Sequence, residues 1–193
     1  MNAWVGVALV LAAQALVPAG PFTELAHDDG VVVRTRPIAG TGFLEFEASV
    51  ELPIAADDAL ALLWNDREHA ASVTVSERLE EGPDRRVIYE VAKGPIVDPR
   101  DYVLESTRHP SERAIRFRTI VDPRRPPREG HVRIPRIVGS TVVVPIGETR
   151  CRVIHTVFSE TGGNVPAWLA TAGQRDNMVG SMKALRARAA ARR

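Results

Sequence analysis

From Val31 to Ser159 the chain is one short alternating run after another, and only beyond Pro166 does the apolar spacing lengthen to that of a helix. No other feature limits the fold as much. Val31–Arg36 reads as a strand after the turn Asp28-Asp29-Gly30. Phe43–Leu52 alternates, with Leu44, Phe46, Ala48, Val50 and Leu52 on one face. Ala55–Asn65 breaks the pattern: Asp57 or Asp58 can cap a helix there, and Leu60, Leu63 and Trp64 share a face. Strands then follow at Ser72–Glu80, Arg86–Lys93, Asp101–Arg108, Ala114–Val121, His131–Val138, Thr141–Ile146 and Thr149–Ser159. Turn chemistry separates them, including Gly139-Ser140 and a proline-rich, basic loop over 122–130 that is expected on the surface. A final helix of about 20 residues begins near Pro166. Val165, Trp168, Leu169 and Ala172 fall on one stripe, continued by Met178, Val179, Met182 and Leu185.

This order predicts an α+β fold: a curved antiparallel sheet wrapped around one long C-terminal helix. A strongly curved sheet with a single helical cover leaves a cavity between the two, so an internal apolar cavity is expected. The 193 residues suffice for one domain with a sizeable core. A formal net charge of +1 lacks the basic footprint of a nucleic-acid binder. The single cysteine, Cys151, cannot form an internal disulfide and reads as a strand residue.

The first residues differ in kind. No charged side chain precedes Glu24. Ala3–Ala13 is apolar, and Pro18, Ala19 and Gly20 supply a small-residue exit. This reads as a signal peptide over 1–19 with the domain over 20–193, and hence as export to a periplasm or the cell exterior. A membrane anchor and a buried first helix are the two other readings. The run is short for the first and has no polar face for the second.

Several motifs resemble START domains. Gly94-Pro95-Ile96-Val97-Asp98-Pro99-Arg100-Asp101-Tyr102-Val103 is similar to the family's proline-containing loop leading into Arg-Asp-aromatic. Glu129-Gly130-His131-Val132-Arg133 resembles its Gly-x-Val-Arg strand, with Gly139 and Pro145 at the family's next hairpin. Asp29-Gly30-Val31 resembles the first strand, and 162–169 the entry to the closing helix. The likeness runs from about Phe22 to Arg188. It implies the helix-grip fold of the START-like and Bet v 1-like superfamily and a tunnel for a sterol, phospholipid or other apolar molecule. There are two departures. Ser106 stands where some members carry a further arginine, and Glu90, the nearest candidate for a buried acid, alternates opposite Val87, Tyr89 and Val91.

The expected ligand contacts are Val87, Tyr89 and Val91 on one strand, Arg100, Tyr102 and Leu104 on the next, then Phe117 and Arg133. Trp168, Leu169, Met178 and Met182 are expected from the closing helix. Arg100 and Asp101 could orient a head group or pin a loop, and Arg133 is either paired or in water, because an unpaired buried charge is costly. No catalytic pattern emerges. The five histidines lack metal-ligand spacing, and neither a nucleophile elbow nor a phosphate loop occurs. No metal and no cofactor is expected. The expected function is non-catalytic binding, and transfer, of a lipid or similar hydrophobic small molecule by a monomer that touches membranes transiently. Two alternatives stand beside it: a polyketide cyclase or aromatase on the same fold, and an interaction domain with a filled core.

Overall fold

The computed structural model describes residues 15–65, 72–94, 97–163, 165 and 167–192. The apolar start over 1–14 lies outside them, as do Pro95 and Ile96 of the expected loop, and Asn164 and Pro166 at the helix entry. Val17 and Ala19, inside the expected leader, are described. Ala39 N–H donates to the Val17 carbonyl (2.8 Å), and Ala19 N–H donates to the Pro37 carbonyl (2.9 Å).

The described residues form ten strands and two α-helices in the order β1 (Thr23–Asp28), β2 (Val31–Pro37), β3 (Leu44–Leu52), α1 (Ala56–Asn65), β4 (Val73–Glu81), β5 (Arg85–Gly94), β6 (Val97–His109), β7 (Ala114–Thr119), β8 (Val132–Arg133), β9 (Arg136–Pro145), β10 (Cys151–Glu160) and α2 (Ala167–Ala190). One sheet runs β1-β2-β3-β10-β9-β7-β6-β5-β4, antiparallel throughout, and β8 adds a short parallel pairing to β6. This is the expected α+β, helix-grip arrangement.

The first hairpin shows how local chemistry sets the path. Asp29 (φ 51°) and Gly30 (φ 74°) both take left-handed conformations between the paired Asp28 and Val31. Asp-Gly is the sequence that a two-residue hairpin with two positive φ angles favours. The core lies where Phe46, Ala48, Val50 and Leu52 of β3 meet Val153 and Val157 of β10 and Met178, Met182 and Leu185 of α2. The helix α2 packs on β1, β2 and β3, whereas α1 crosses β9 and β10. Lys183 Nζ bonds Asp28 Oδ2 at 2.7 Å and Arg186 pairs with Asp29, which tie the C-terminal half of α2 to the first hairpin.

Three local features depart from the sequence reading. A strand forms over Thr23–Asp28 where none is expected. The closing helix is longer than about 20 residues, at 24. The turn expected at Gly139-Ser140 is absent: β9 runs straight through it, with Gly139 opposite Val157 of β10 and Phe117 of β7. Glycine stands there for space. A Cβ at Gly139 would sit 2.1 Å from the Thr156 carbonyl oxygen and 2.5 Å from a Phe117 ring carbon.

Gly139→Ala should therefore destabilise the protein by about 2–3 kcal/mol, the overpacking range. Gly147→Ala, with nothing within 4 Å of the added carbon, should stay within about 0.5 kcal/mol of the unsubstituted chain. Urea denaturation of the two variants side by side checks this. Equal midpoints would show that β9 and β7 can separate there at no cost.

Candidate functional site

Because α2 leans on the β1–β3 side of the sheet, it stands off the other side. A cavity of about 690 Å³ opens between its C-terminal half and the strands β4–β7, β9 and β10. Ile88, Leu104, Ile115, Phe117, Met182 and Leu185 give it apolar walls, with Leu63 of α1 at one side. The volume falls within the range of small-molecule sites, several hundred Å³.

Polar side chains line the cavity on either side of the apolar Ile88–Leu104 pair. Glu90 of β5 and Tyr102 of β6 are cross-strand partners. The Tyr102 hydroxyl donates to Glu90 Oε2 at 2.7 Å and the Ser76 hydroxyl donates to Oε1 at 3.2 Å. Burial, reinforced by the Glu90 charge, holds the Tyr102 phenol well above its usual range. The phenol therefore stays a donor across physiological pH. Arg86, opposite Ser106, also lines the cavity. Its guanidinium donates to the Trp64 carbonyl (2.8 Å) and lies 4.5 Å from the centre of the Trp64 ring, a cation–π contact. Its Nε is buried with no partner among the described residues. Burial and the neighbouring Arg78 charge lower its pKa, while Glu90 and Glu81 oppose them. Arg188 of α2 and Ser106 also line the cavity.

A second polar feature sits on the opposite wall. His155 of β10 meets the Thr141 hydroxyl through Nδ1 at 2.8 Å and stacks on Phe117, with centroids 5.4 Å apart and planes 15° apart. Both His155 and Thr141 face the cavity. Burial pushes the imidazole pKa down to about 4, so the ring is neutral at pH 7.

The residues expected from sequence divide between several places. Tyr102, Leu104, Phe117 and Met182 line the cavity. Val87, Tyr89 and Val91 lie on the other face of β5. There they pack with Val103, Leu79 and Ile120 in a separate buried cluster. Arg133 is on that outer side as well. Its Nε and Nη2 hold the two oxygens of the fully buried Asp101 at 2.9 Å each, and Tyr89 adds a hydroxyl bond at 3.2 Å. Burial pushes the Asp101 pKa up, but the bonds and charge of Arg133 outweigh it and the net shift is downward. Arg133 Nη2 also donates to the carbonyls of Arg125 and Pro126, so the pair holds the 122–130 loop against the sheet. The partner of Asp101 is thus Arg133. Arg100 instead donates to the carbonyls of Asp98 (2.6 Å) and Thr161 (3.2 Å), a pin between β6 and the approach to α2. Trp168 is 71 % exposed, Leu169 is half-buried, and Met178 is buried in the core without lining the cavity.

Arg86, Glu90, Ser106, Thr141 and His155 are not among the expected contacts; for Arg86 and Glu90 the reason is that the alternating pattern takes the more apolar face of β5 as the inner one. Pairing register is the signal that finds the first three. Tyr102 lies opposite Glu90 and Leu104 opposite Ile88, so a cavity that touches Tyr102 and Leu104 must touch Glu90 and Ile88.

No protein-family model matches the chain. The chain is 30 % identical over 175 residues to the uncharacterized protein PA1579 of Pseudomonas aeruginosa, covering 86 % of each. In structure it is similar to a STAR-related lipid transfer protein from Xanthomonas axonopodis, with a TM-score of 0.75 and 29 % identity, covering 87 % of this chain and 98 % of that one. It also shares its fold with the Zhui aromatase/cyclase of a Streptomyces species, with a TM-score of 0.60 and 16 % identity, covering 77 % and 94 %.

A neutral buried histidine has a pH consequence. The folded pKa of His155, about 4, lies below the ordinary 6.5. Protonation therefore favours the unfolded chain. The contribution of His155 is whole above about pH 6.5 and is lost as the pH falls toward 4, amounting to about 3 kcal/mol at the acid end. Nitrogen NMR of the imidazole should show it neutral at pH 5. A ring half-protonated near pH 6.5 would mean that water reaches it freely.

Proposed function

This chain belongs to the START-like helix-grip family, and on that premise we propose that it binds one lipid or similar hydrophobic molecule in the cavity beneath α2, carries it, and leaves it chemically unchanged. The observation that carries this reading is the cavity itself. It is large enough for much of an apolar molecule, has hydrocarbon walls about its middle, and carries hydrogen-bonding groups on either side of them. That is the division an amphipathic ligand needs: apolar surface buried at about 25 cal/mol per Å² along the walls, and orientation from a few polar contacts. Tyr102 and Glu90 supply a donor and an acceptor on one side, and Arg86 and Ser106 supply donors on the other.

Movement of α2 would widen the way into the cavity. The C-terminal half of α2 is tied to the first hairpin by Lys183 and Arg186. The approach to its other end passes through Gly162 (φ 65°) and Gly163 (φ 61°), both in the left-handed region that glycine adopts freely. The N-terminal half of α2 is therefore the part that swings, and exposed Trp168 on its first turn is the side chain that would meet a membrane surface.

A specific observation favours one second reading, a cyclase. Glu90 and the Tyr102 phenol converge in the cavity with neutral His155 across from them. In an intramolecular aldol closure, a carboxylate takes the α-proton of one ketone, the carbanion carbon bonds the second carbonyl carbon, and a phenol protonates its oxygen. Product formation from a linear poly-β-ketone, lost in Glu90→Gln, would favour that reading.

For the binding reading, Leu104→Trp should fill the middle of the cavity and lower the affinity for a fluorescent phospholipid or sterol at least tenfold. Val144→Trp, at an exposed position outside the cavity, should bind as the unsubstituted chain does. Lipid extraction from labelled vesicles by folded variants is the measurement. Undiminished extraction by folded Leu104→Trp would place the ligand elsewhere.

A further inference from the structure

A second cavity, of about 450 Å³, lies under the N-terminal half of α2. Phe43, Leu44 and Phe46 of β3 and its approach, Val157 and Ser159 of β10, and Ala170, Thr171 and Gln174 of α2 line it. The two cavities share no lining residue, yet they use the same two elements in immediate succession. On β10, His155 faces the first and Val157 the second. These are next neighbours on one face of a strand, about 7 Å apart. On α2, Gln174 faces the second and Asn177 the first. Their separation along the helix axis is about 4.5 Å. A divider so thin is one layer of side chains.

Met178 is that layer. It is 3 % exposed, lines neither cavity, and stands one turn beyond Gln174 and one turn before Met182 on the same helical face. Phe46 and Val157 from the second cavity and Phe117 from the first belong to the same apolar cluster as Met178. Methionine is an unbranched thioether with three rotatable bonds, the side chain best able to change rotamer without moving backbone. The geometry points to one elongated ligand site in two chambers. Met178 is the partition that sets how much hydrocarbon chain the site accepts. The polar side chains of the first chamber hold the head of the ligand, and the second chamber takes the far end of a chain long enough to displace the methionine. This inference rests on the lipid-binding reading and extends it to the class of ligand: a molecule with a linear acyl or alkyl chain, rather than a rigid ring system that could not pass the divider.

The test is chain-length preference, read by competition of octanoyl, lauroyl, palmitoyl and stearoyl lysophosphatidylcholines against a fluorescent lipid. Each additional buried methylene is worth about fourfold in affinity. Met178→Ala should open the partition and raise the stearoyl-to-octanoyl affinity ratio at least tenfold. Thr171→Trp fills the second chamber from a half-buried position and should lower that ratio at least tenfold, with octanoyl binding unchanged. Should the alanine variant fail to fold, Thr171→Trp alone decides. An unaltered ratio in folded Thr171→Trp overturns the two-chamber site while the lipid reading stands. A failure of the unsubstituted protein to bind any chain length removes the lipid reading beneath it.

Discussion

The cavity depends on the contact between α2 and the strands β2 and β3. Val31 and Val33 of β2, with Phe46, Ala48 and Val50 of β3, share one buried cluster with Met178, Met182 and Leu185 of the helix. Burying side chains of this size stabilises by about 1.5–3 kcal/mol each, so this seam fixes where the helix lies. The sheet continues from there through β10 and β9 to β7, β6, β5 and β4, curving around to face the helix again. The far strands do not reach it. The gap that remains is therefore a product of sheet curvature and of a helix anchored on one side.

A gap of that kind needs stiff walls, and the wall formed by β5 and β6 is stiffened from outside. Val87, Tyr89, Val91 and Val103 form a second small core on the outer face. The Asp101–Arg133 pair, fully buried on the acid side, straps the 122–130 loop across that face. A bidentate arginine–carboxylate pair with Tyr89 as a further donor satisfies the buried acid, and removal of either partner would leave an uncompensated charge. The strap supports the wall without occupying the cavity. The same arrangement lets the inner face carry Arg86, Glu90 and Tyr102, because the apolar burial that holds β5 in place comes from its other side.

That division explains what could be read from the sequence. The strands β2 to β7 and β10, the short α1 and the long closing helix all follow from periodicity, as does a cavity between sheet and helix. The inner face of β5 does not. Both of its faces are buried, so alternation separates the two sets without saying which is inside, and the outer set is the more apolar. Register decides it, and register hinges on an irregularity between Ala92 and Gly94. Gly94 pairs with Val97, and continuing that pairing without a shift would set Tyr89 against Tyr102 and Val87 against Leu104. The shift in the hairpin pairs Ala92 with Arg100 instead and Glu90 with Tyr102. A one-residue slip exchanges the two faces of a strand. Gly139 carries a similar lesson. As a lone glycine followed by serine it reads as a turn, but what requires it is the approach of Phe117 and the Thr156 carbonyl, two contacts from distant parts of the chain.

Lipid binding as proposed requires that the space under α2 be occupied by a ligand when the protein is at work. Its polar groups are held by protein bonds, Tyr102 to Glu90 and Arg86 to the Trp64 carbonyl, so the site is organised before a ligand arrives. Native mass spectrometry of protein purified without detergent tests the claim most directly. The expected result is a population heavier than the bare chain by one small apolar molecule, which is released when the protein is denatured and recovered in the organic phase. A single species at the mass of the bare chain, unchanged after incubation with lipid vesicles, would contradict it.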